Sequence, residues 1–355
     1  MKKVWVIGSV AVMILSMIAI GAFEQGYYKG REIEQEFIVK KTEEDLRIQE
    51  EKDKQKKPLG DRPEEGWLFG LSNLGKDSDY YTKLELALNG YIHDGGDRLI
   101  SMDSEDDIGL QIQQLQEMER MGVDAVFLNP VDSVELLPVL EELKKNNIPV
   151  IMMEQGMEDT KQVISVVDSD NFNSGFILAD YMVNNCMPGK DVYNKAGVAI
   201  FTERVKNFGK EKRYGFRAAI GDSYFRVEKE IITTHDEELI RKEFQNLLEE
   251  VENLQYIFST CDQITLVLLK LCEEEGCENL KIFSVGGSPE LKKIMVEGNK
   301  NLEAFAAESP ASLAMNAYSV MMQYLDGQAV KKQYLTETFL VNRDNIEEYR
   351  VDTWQ

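Results

Sequence analysis

Along most of this chain, short apolar runs alternate with stretches whose apolar residues recur every three or four positions. Residues 67–71 form such a run, and a helix beginning near Tyr80 then buries Leu84, Leu88 and Tyr91. Residues 98–102 read as strand, and Ile108, Ile112, Leu115, Met118 and Met121 mark a helix that Gly122 ends. Strands at 125–128 and 150–153 flank a helix over 134–145, a βαβ unit of a parallel sheet. After Gly175 the pattern restarts. Helices over about 173–185, 208–220, 237–248, 264–275 and 291–297 alternate with strands at 197–201, 224–230, 256–258 and 281–285. A helix over 312–325 and a strand near 338–341 remain. This order predicts an α/β fold of two doubly wound parallel-sheet lobes with a hinge and an interlobe cleft. The first lobe takes 66–170 plus about 308–330, and the second 171–307 plus about 331–355. Ligands in such sheets sit beyond the carboxyl ends of the strands, which here carry Asn129-Pro130 and Glu154-Gln155.

The front of the chain departs from this pattern. Residues 4–23 carry no charge and are long enough to span a bilayer core as a helix. Lys2 and Lys3 place the amino terminus on the cytoplasmic side, so the rest faces outward from the cell membrane. The run is longer than the apolar region of a cleaved signal, which favours a transmembrane signal anchor over 1–23; Ala19-Ile20-Gly21 leaves cleavage open. Residues 24–65 are densely charged with both signs interleaved, a stalk that Pro58, Gly60 and Pro63 close. The 63 acidic against 40 basic residues, a formal charge of −23, argue against a nucleic-acid surface. Four cysteines are too few for a disulfide scaffold, and whether Cys272 and Cys277 pair stays open; no CxxC supports a zinc site.

The order of motifs resembles the ribose-binding-protein family of type I periplasmic binding proteins, over roughly residues 66–350. The carriers are Gln111, Gln114 and Leu115 before Gly122-Val123-Asp124-Ala125-Val126, then Ile148-Pro149-Val150, and Val167-Asp168-Ser169-Asp170-Asn171 before Gly175. Arg213-Tyr214-Gly215-Phe216 and Tyr256-Ile257-Phe258 before Cys261-Asp262 continue the series. Repressors that share this fold begin with a helix-turn-helix, a place taken here by the apolar run.

The resemblance implies a cleft that binds a small sugar-like ligand. It sets Tyr80 and Tyr81 where the family stacks aromatic rings on the sugar. Glu154-Gln155 stands where the family has Asp and Arg, and Lys212, or Arg213 one place along, where it has Arg. Cys261-Asp262 replaces Asn-Asp, Gly286 stands where an acid is expected, and Glu308 takes the place of a cleft glutamine. A pocket so rewritten is not expected to take plain ribose. Glu154 and Glu308 with Lys212 suit an amino sugar or another partly cationic, hydroxylated ligand, unless the cleft is degenerate and the protein works through surface contacts. The implied partners are an ABC permease or a membrane sensor histidine kinase. No cofactor or metal is expected. His93 and His235 read as isolated surface or capping residues, and no nucleophile elbow or phosphate loop occurs, so an enzyme is not expected.

Overall fold

Each predicted βα alternation closes into its own sheet. The computed structural model describes residues 62–354 except 76–78, 155–160, 187–194, 204–208 and 222. The anchor at 1–23 and the stalk up to residue 61 lie outside the described residues, as does Gln155. Among the described residues no helix is long and apolar enough to cross a membrane.

The first lobe runs β1 (Leu68–Asn73), α1 (Asp79–Asp94), β2 (Arg98–Asp103), α2 (Ile108–Arg120), β3 (Ala125–Leu128), α3 (Leu137–Lys145), β4 (Val150–Met153) and β5 (Ser165–Ser169). The second runs α4 (Asn171–Asn185), β6 (Ala196–Glu203), α5 (Lys210–Ile220), β7 (Phe225–Thr233), α6 (Glu237–Glu250), β8 (Leu254–Ser259), α7 (Asp262–Glu274), β9 (Lys281–Gly286), α8 (Pro289–Val296) and β10 (Leu302–Ala307). The chain then returns through α9 (Pro310–Leu325), β11 (Gln333–Thr336) and β12 (Phe339–Asn342). Strand order is β11-β5-β4-β3-β1-β2 in one sheet and β12-β10-β9-β8-β6-β7 in the other. Every pairing is parallel except β10 with β12.

Helices cover both faces of each sheet, so the central strands are buried on both sides and read as unbroken apolar runs. All residues of β3 and β4 are buried. In the first lobe α1 and α9 pack on one face, through Leu84, Leu88, Leu313 and Ala317, and α2 and α3 on the other, through Leu115, Met118, Leu140 and Leu143. The second lobe repeats this, with α6, α7 and α8 opposite α4 and α5. Cys272 and Cys277 are both free thiols.

The assignment of 331–355 to the second lobe is corrected in part, because Gln333–Thr336 pairs with β5 in the first sheet. Only Thr336 of that strand is buried, so it offers no apolar run to recognise; its backbone closes an otherwise open edge, Val166 N–H donating to Lys332 O and Asp170 N–H to Thr336 O. The chain therefore crosses between lobes three times, at Ser169–Asn171, Ala307–Pro310 and Thr336–Phe339. The first and third crossings are bonded together: Thr338 Oγ1 donates to Asp170 O at 3.2 Å, and Asn173 Nδ2 to Thr338 O at 3.2 Å.

One helix pair sets the geometry of the second lobe. A Cβ on Gly175 would stand 1.8 Å from Lys212 O, and one on Gly215 would stand 1.9 Å from Phe172 O. Only glycine allows α4 and α5 to approach this closely. The contact fixes the turn of α5 that carries Lys212. Gly175→Ala therefore loses about 1–3 kcal/mol or more from overpacking against backbone. Gly90→Ala, in α1 with no atom within 4 Å of the new methyl, gains about 0.5–1 kcal/mol by helix propensity. Urea unfolding of both variants measures the contrast, and equal stabilities would discount the close approach.

Candidate functional site

In each sheet the chain reverses direction of travel beside one strand, β1 in the first lobe and β6 in the second, which opens a crevice at the carboxyl ends there. In the first lobe this crevice is floored by a buried polar network. Gln111 Nε2 donates to Ser72 Oγ (3.1 Å) and Asn129 O (2.8 Å), and its Oε1 accepts from Val131 N–H. Asn129 Nδ2 donates to Asn73 Oδ1 at 2.7 Å, and Asn73 Nδ2 donates to Tyr81 O at 3.1 Å. That last bond ties the start of α1 to the end of β1 and so aims Tyr80 and Tyr81.

Their rings meet edge to face at 5.5 Å. The Tyr80 hydroxyl donates to Glu154 Oε1 at 2.5 Å, and Ser169 Oγ donates to the same oxygen at 3.2 Å. Glu154 follows β4 directly with φ at +66°, a left-handed conformation that a non-glycine residue adopts at a cost of order 1 kcal/mol. Burial and the nearby Glu308 push the Glu154 carboxyl up to about 7, against the Tyr80 hydrogen bond and Lys212, which both favour its charged form. Burial, then Glu154, holds the Tyr80 hydroxyl well above its ordinary range, and the Asp168 carboxyl is raised by the same two causes.

From the second lobe, Lys212 Nζ stands 2.8 Å from Glu308 Oε1, with the two side chains 8% and 10% exposed, and donates to Thr260 O at 3.4 Å. Burial alone would lower the ammonium's pKa; Glu308, Glu203 and Glu154 outweigh it, so Lys212 stays protonated. Glu308 lies in the second crossing, between β10 and α9. Tyr80, Glu154, Lys212 and Glu308, drawn from both lobes and the hinge, thus share one electrostatic neighbourhood.

Other expected residues lie elsewhere or act differently. Arg213 turns away to an ion pair with Glu230, which also takes Arg217 at 2.7 Å. Asp262 accepts from Gly287 N–H (3.0 Å) and Ser288 N–H (2.6 Å), so it braces the turn after β9; burial still pushes it up to about 6. Gly286, at φ +143°, clears room for it, since a Cβ there would stand 2.1 Å from Asp262 Oδ1. Gly286 contributes space and Asp262 the brace. Cys261 starts α7, its thiol raised by burial, with Sγ 3.8 Å from His235 Nε2.

His235 is not isolated: its Nε2 is 2.9 Å from Glu203 Oε1, and that hydrogen bond raises its pKa. Glu203, His235 and Cys261 place their donor atoms within 4.8 Å of one another and could hold a metal ion. The thiol carries a proton that a metal would have to displace, and the imidazole nitrogen nearest it is already engaged by Glu203. The arrangement stands on its own as a hydrogen-bonded His235–Glu203 pair beside a helix start.

Sequence reasoning missed Ser169, Asp168 and Trp354. The Trp354 ring meets Tyr80 edge to face at 5.2 Å. Its segment is pinned by Lys292, fully buried in α8, whose Nζ donates to Arg350 O (3.0 Å) and Thr353 O (2.7 Å). The available signal was a large aromatic residue closing an otherwise polar tail.

Two doubly wound lobes, three crossings and a polar, aromatic-flanked cleft define a hinged solute-binding fold. Residues 69–329 match the family described as Periplasmic binding protein domain, and the chain belongs to that family. It is 25% identical over 247 residues to the ribose import binding protein of Escherichia coli, covering 69% of this chain and 80% of that one. It is 22% identical over 290 residues to the galactofuranose-binding protein of Escherichia coli, covering 79% and 89%. A solved structure titled as a periplasmic ribose ABC transporter from Conexibacter woesei superposes with a TM-score of 0.73 at 16% identity, covering 81% of this chain and 96% of that one.

Lys212→Met leaves Glu308 buried without its counter-charge and costs about 3–5 kcal/mol, most of which Lys212→Met with Glu308→Leu recovers. Urea titration measures both, and a K212M variant as stable as the parent would show the pair to be idle. A second outcome concerns pH. A carboxyl whose folded pKa is raised binds more protons folded than unfolded, so it withdraws stability as pH rises from about 4.5 to about 7. Glu154→Gln is expected to flatten that part of the stability profile and to gain over the parent at pH 8. Parallel profiles for the two proteins would contradict the raised carboxyl.

Proposed function

We propose that the globular part binds a small carbohydrate-like ligand in the interlobe cleft and closes over it by hinge motion. The observation that carries this reading is the convergence of Tyr80, Glu154, Lys212 and Glu308 from both lobes and a crossing segment. A ligand that touches both lobes favours the closed form by its differential affinity for it. Relatives named for ribose import and galactofuranose binding support a sugar. The rewritten positions at Glu154 and Lys212 support a different hydroxyl pattern from theirs.

The output we favour is delivery to an ABC permease, in keeping with the import function named for the relatives. The apolar run at 4–23 and the charged stretch behind it support a membrane-anchored protein with its cleft outside the cell. An uncleaved anchor also suits presentation of the closed form to a membrane sensor kinase.

The test is a panel of pentoses, hexoses, furanoses and cyclitols against the full chain, read by thermal shift and by small-angle scattering. At least one compound is expected to raise the melting temperature and reduce the radius of gyration together. A panel with neither response would leave the cleft as a structural relic and overturn the reading.

A further inference from the structure

The charges around the cleft do not balance. Glu154, Glu308 and Asp168 face it, and Lys212 is the cation that answers them among the described residues. Lys212 is already engaged by Glu308 at 2.8 Å. Glu154 is held by two hydroxyls, Tyr80 and Ser169, neither of which brings positive charge. In the sequence Gln155 follows it, a residue that carries no charge either. A neutral sugar filling the cleft would strip the remaining water from Glu154 without supplying a counter-charge, and the carboxyl would answer by keeping its proton, whereas an ammonium holds it ionised in a charge-assisted pair.

The aromatic side of the site is as specific. Tyr80 meets Tyr81 and Trp354 edge to face, with centroids 5.5 Å and 5.2 Å from its own, so the three rings form a row with Tyr80 in the middle. Trp354 Nε1 is buried and has no hydrogen-bond partner among the described residues. An indole N–H in that state needs an acceptor. Trp354 comes from the tail fixed to α8 of the second lobe, and Tyr80 from α1 of the first, so the row forms between lobes. Aromatic rings beside a carboxylate are the chemistry that receives an ammonium group with apolar flanks.

Resting on the reading that the cleft binds a sugar-like ligand, we propose that the ligand is an aminated sugar or polyol. Its ammonium bonds Glu154, its ring lies against Tyr80 and Trp354, and one hydroxyl accepts from the Trp354 indole. Trp354 is thereby a ligand-binding residue that also reports closure.

The pH behaviour follows from the groups that face Glu154, namely Tyr80, Tyr81, Ser169, Asp168, Lys212 and Glu308. The two phenols stay protonated and Lys212 stays charged. Glu154 and Asp168 are the raised carboxyls. An ammonium needs ionised Glu154, so below about pH 7 binding must expel a proton, and affinity falls by up to about tenfold per pH unit.

The experiment is calorimetry on the full chain with glucosamine, galactosamine, mannosamine and glucamine, each against its neutral parent: glucose, galactose, mannose and sorbitol. At least one amine is expected to bind tenfold or more tighter than its parent at pH 7.5, with the preference shrinking towards pH 5.5. Glu154→Gln should abolish the preference. Trp354→Phe should lose about tenfold in affinity for that amine, and Trp354→Ala more. Neutral parents binding as tightly as the amines, or an unchanged Trp354→Ala, would overturn the proposal while leaving the sugar-binding reading intact. Binding of neither set, together with a silent sugar panel, would overturn both.

Discussion

Lys212 and Glu308 meet in a near-dry contact that links three otherwise separate parts of the protein. Lys212 belongs to the second lobe, and its helix is fixed by the glycine contact between α4 and α5. Glu308 belongs to the chain crossing between β10 and α9. Both act on Glu154 at the end of a first-lobe strand. A charge buried this deeply is tolerated only while its partner stays in place. The pair therefore constrains how the crossing, the cleft and the second lobe sit together, and Glu308 adds to the burial that already raises the Glu154 carboxyl and the Tyr80 hydroxyl.

The crossings divide the remaining work. The first and third are hydrogen-bonded to each other through Asp170, Asn173 and Thr338, giving a paired strip. The second carries Glu308 and turns at once into α9, where Ser309 caps the helix by accepting from Ser312 N–H and Pro310 suits its first turn. A regular helix thus begins immediately after the crossing that carries Glu308.

How much of this was legible in the sequence depends on burial. Strands β3 and β4 are covered on both faces, so their apolar runs mark them to the residue. Strand β5 interrupts its two core valines, Val166 and Val167, with Ser165, Asp168 and Ser169, and β11 buries only Thr336 and is held by backbone pairing, which leaves no trace in side-chain pattern. The same holds for the site. Tyr80, Glu154, Lys212 and Glu308 follow strand ends or crossings, where alternation of elements points. Arg213 is one residue from Lys212, but a helix turns about 100° per residue, so it faces β7 instead. Asp262 is committed to backbone amides 25 and 26 residues further on, a relation no local pattern encodes. Trp354 reaches Tyr80 from a segment without periodicity.

The strand β11 has a consequence for how the protein is made. Lys332 and Val163 are bonded across 169 residues of chain, with all of the second lobe but β12 and the tail lying between them. During synthesis the first lobe emerges with one sheet edge unpaired and the face later covered by α9 bare. It stays so until all of its neighbour but β12 and the tail has been made. An open parallel edge is a template for wrong pairing, and long-range pairings of this kind form slowly. The lobes are two in shape, yet the smallest stretch of chain able to finish the first one includes nearly all of the second.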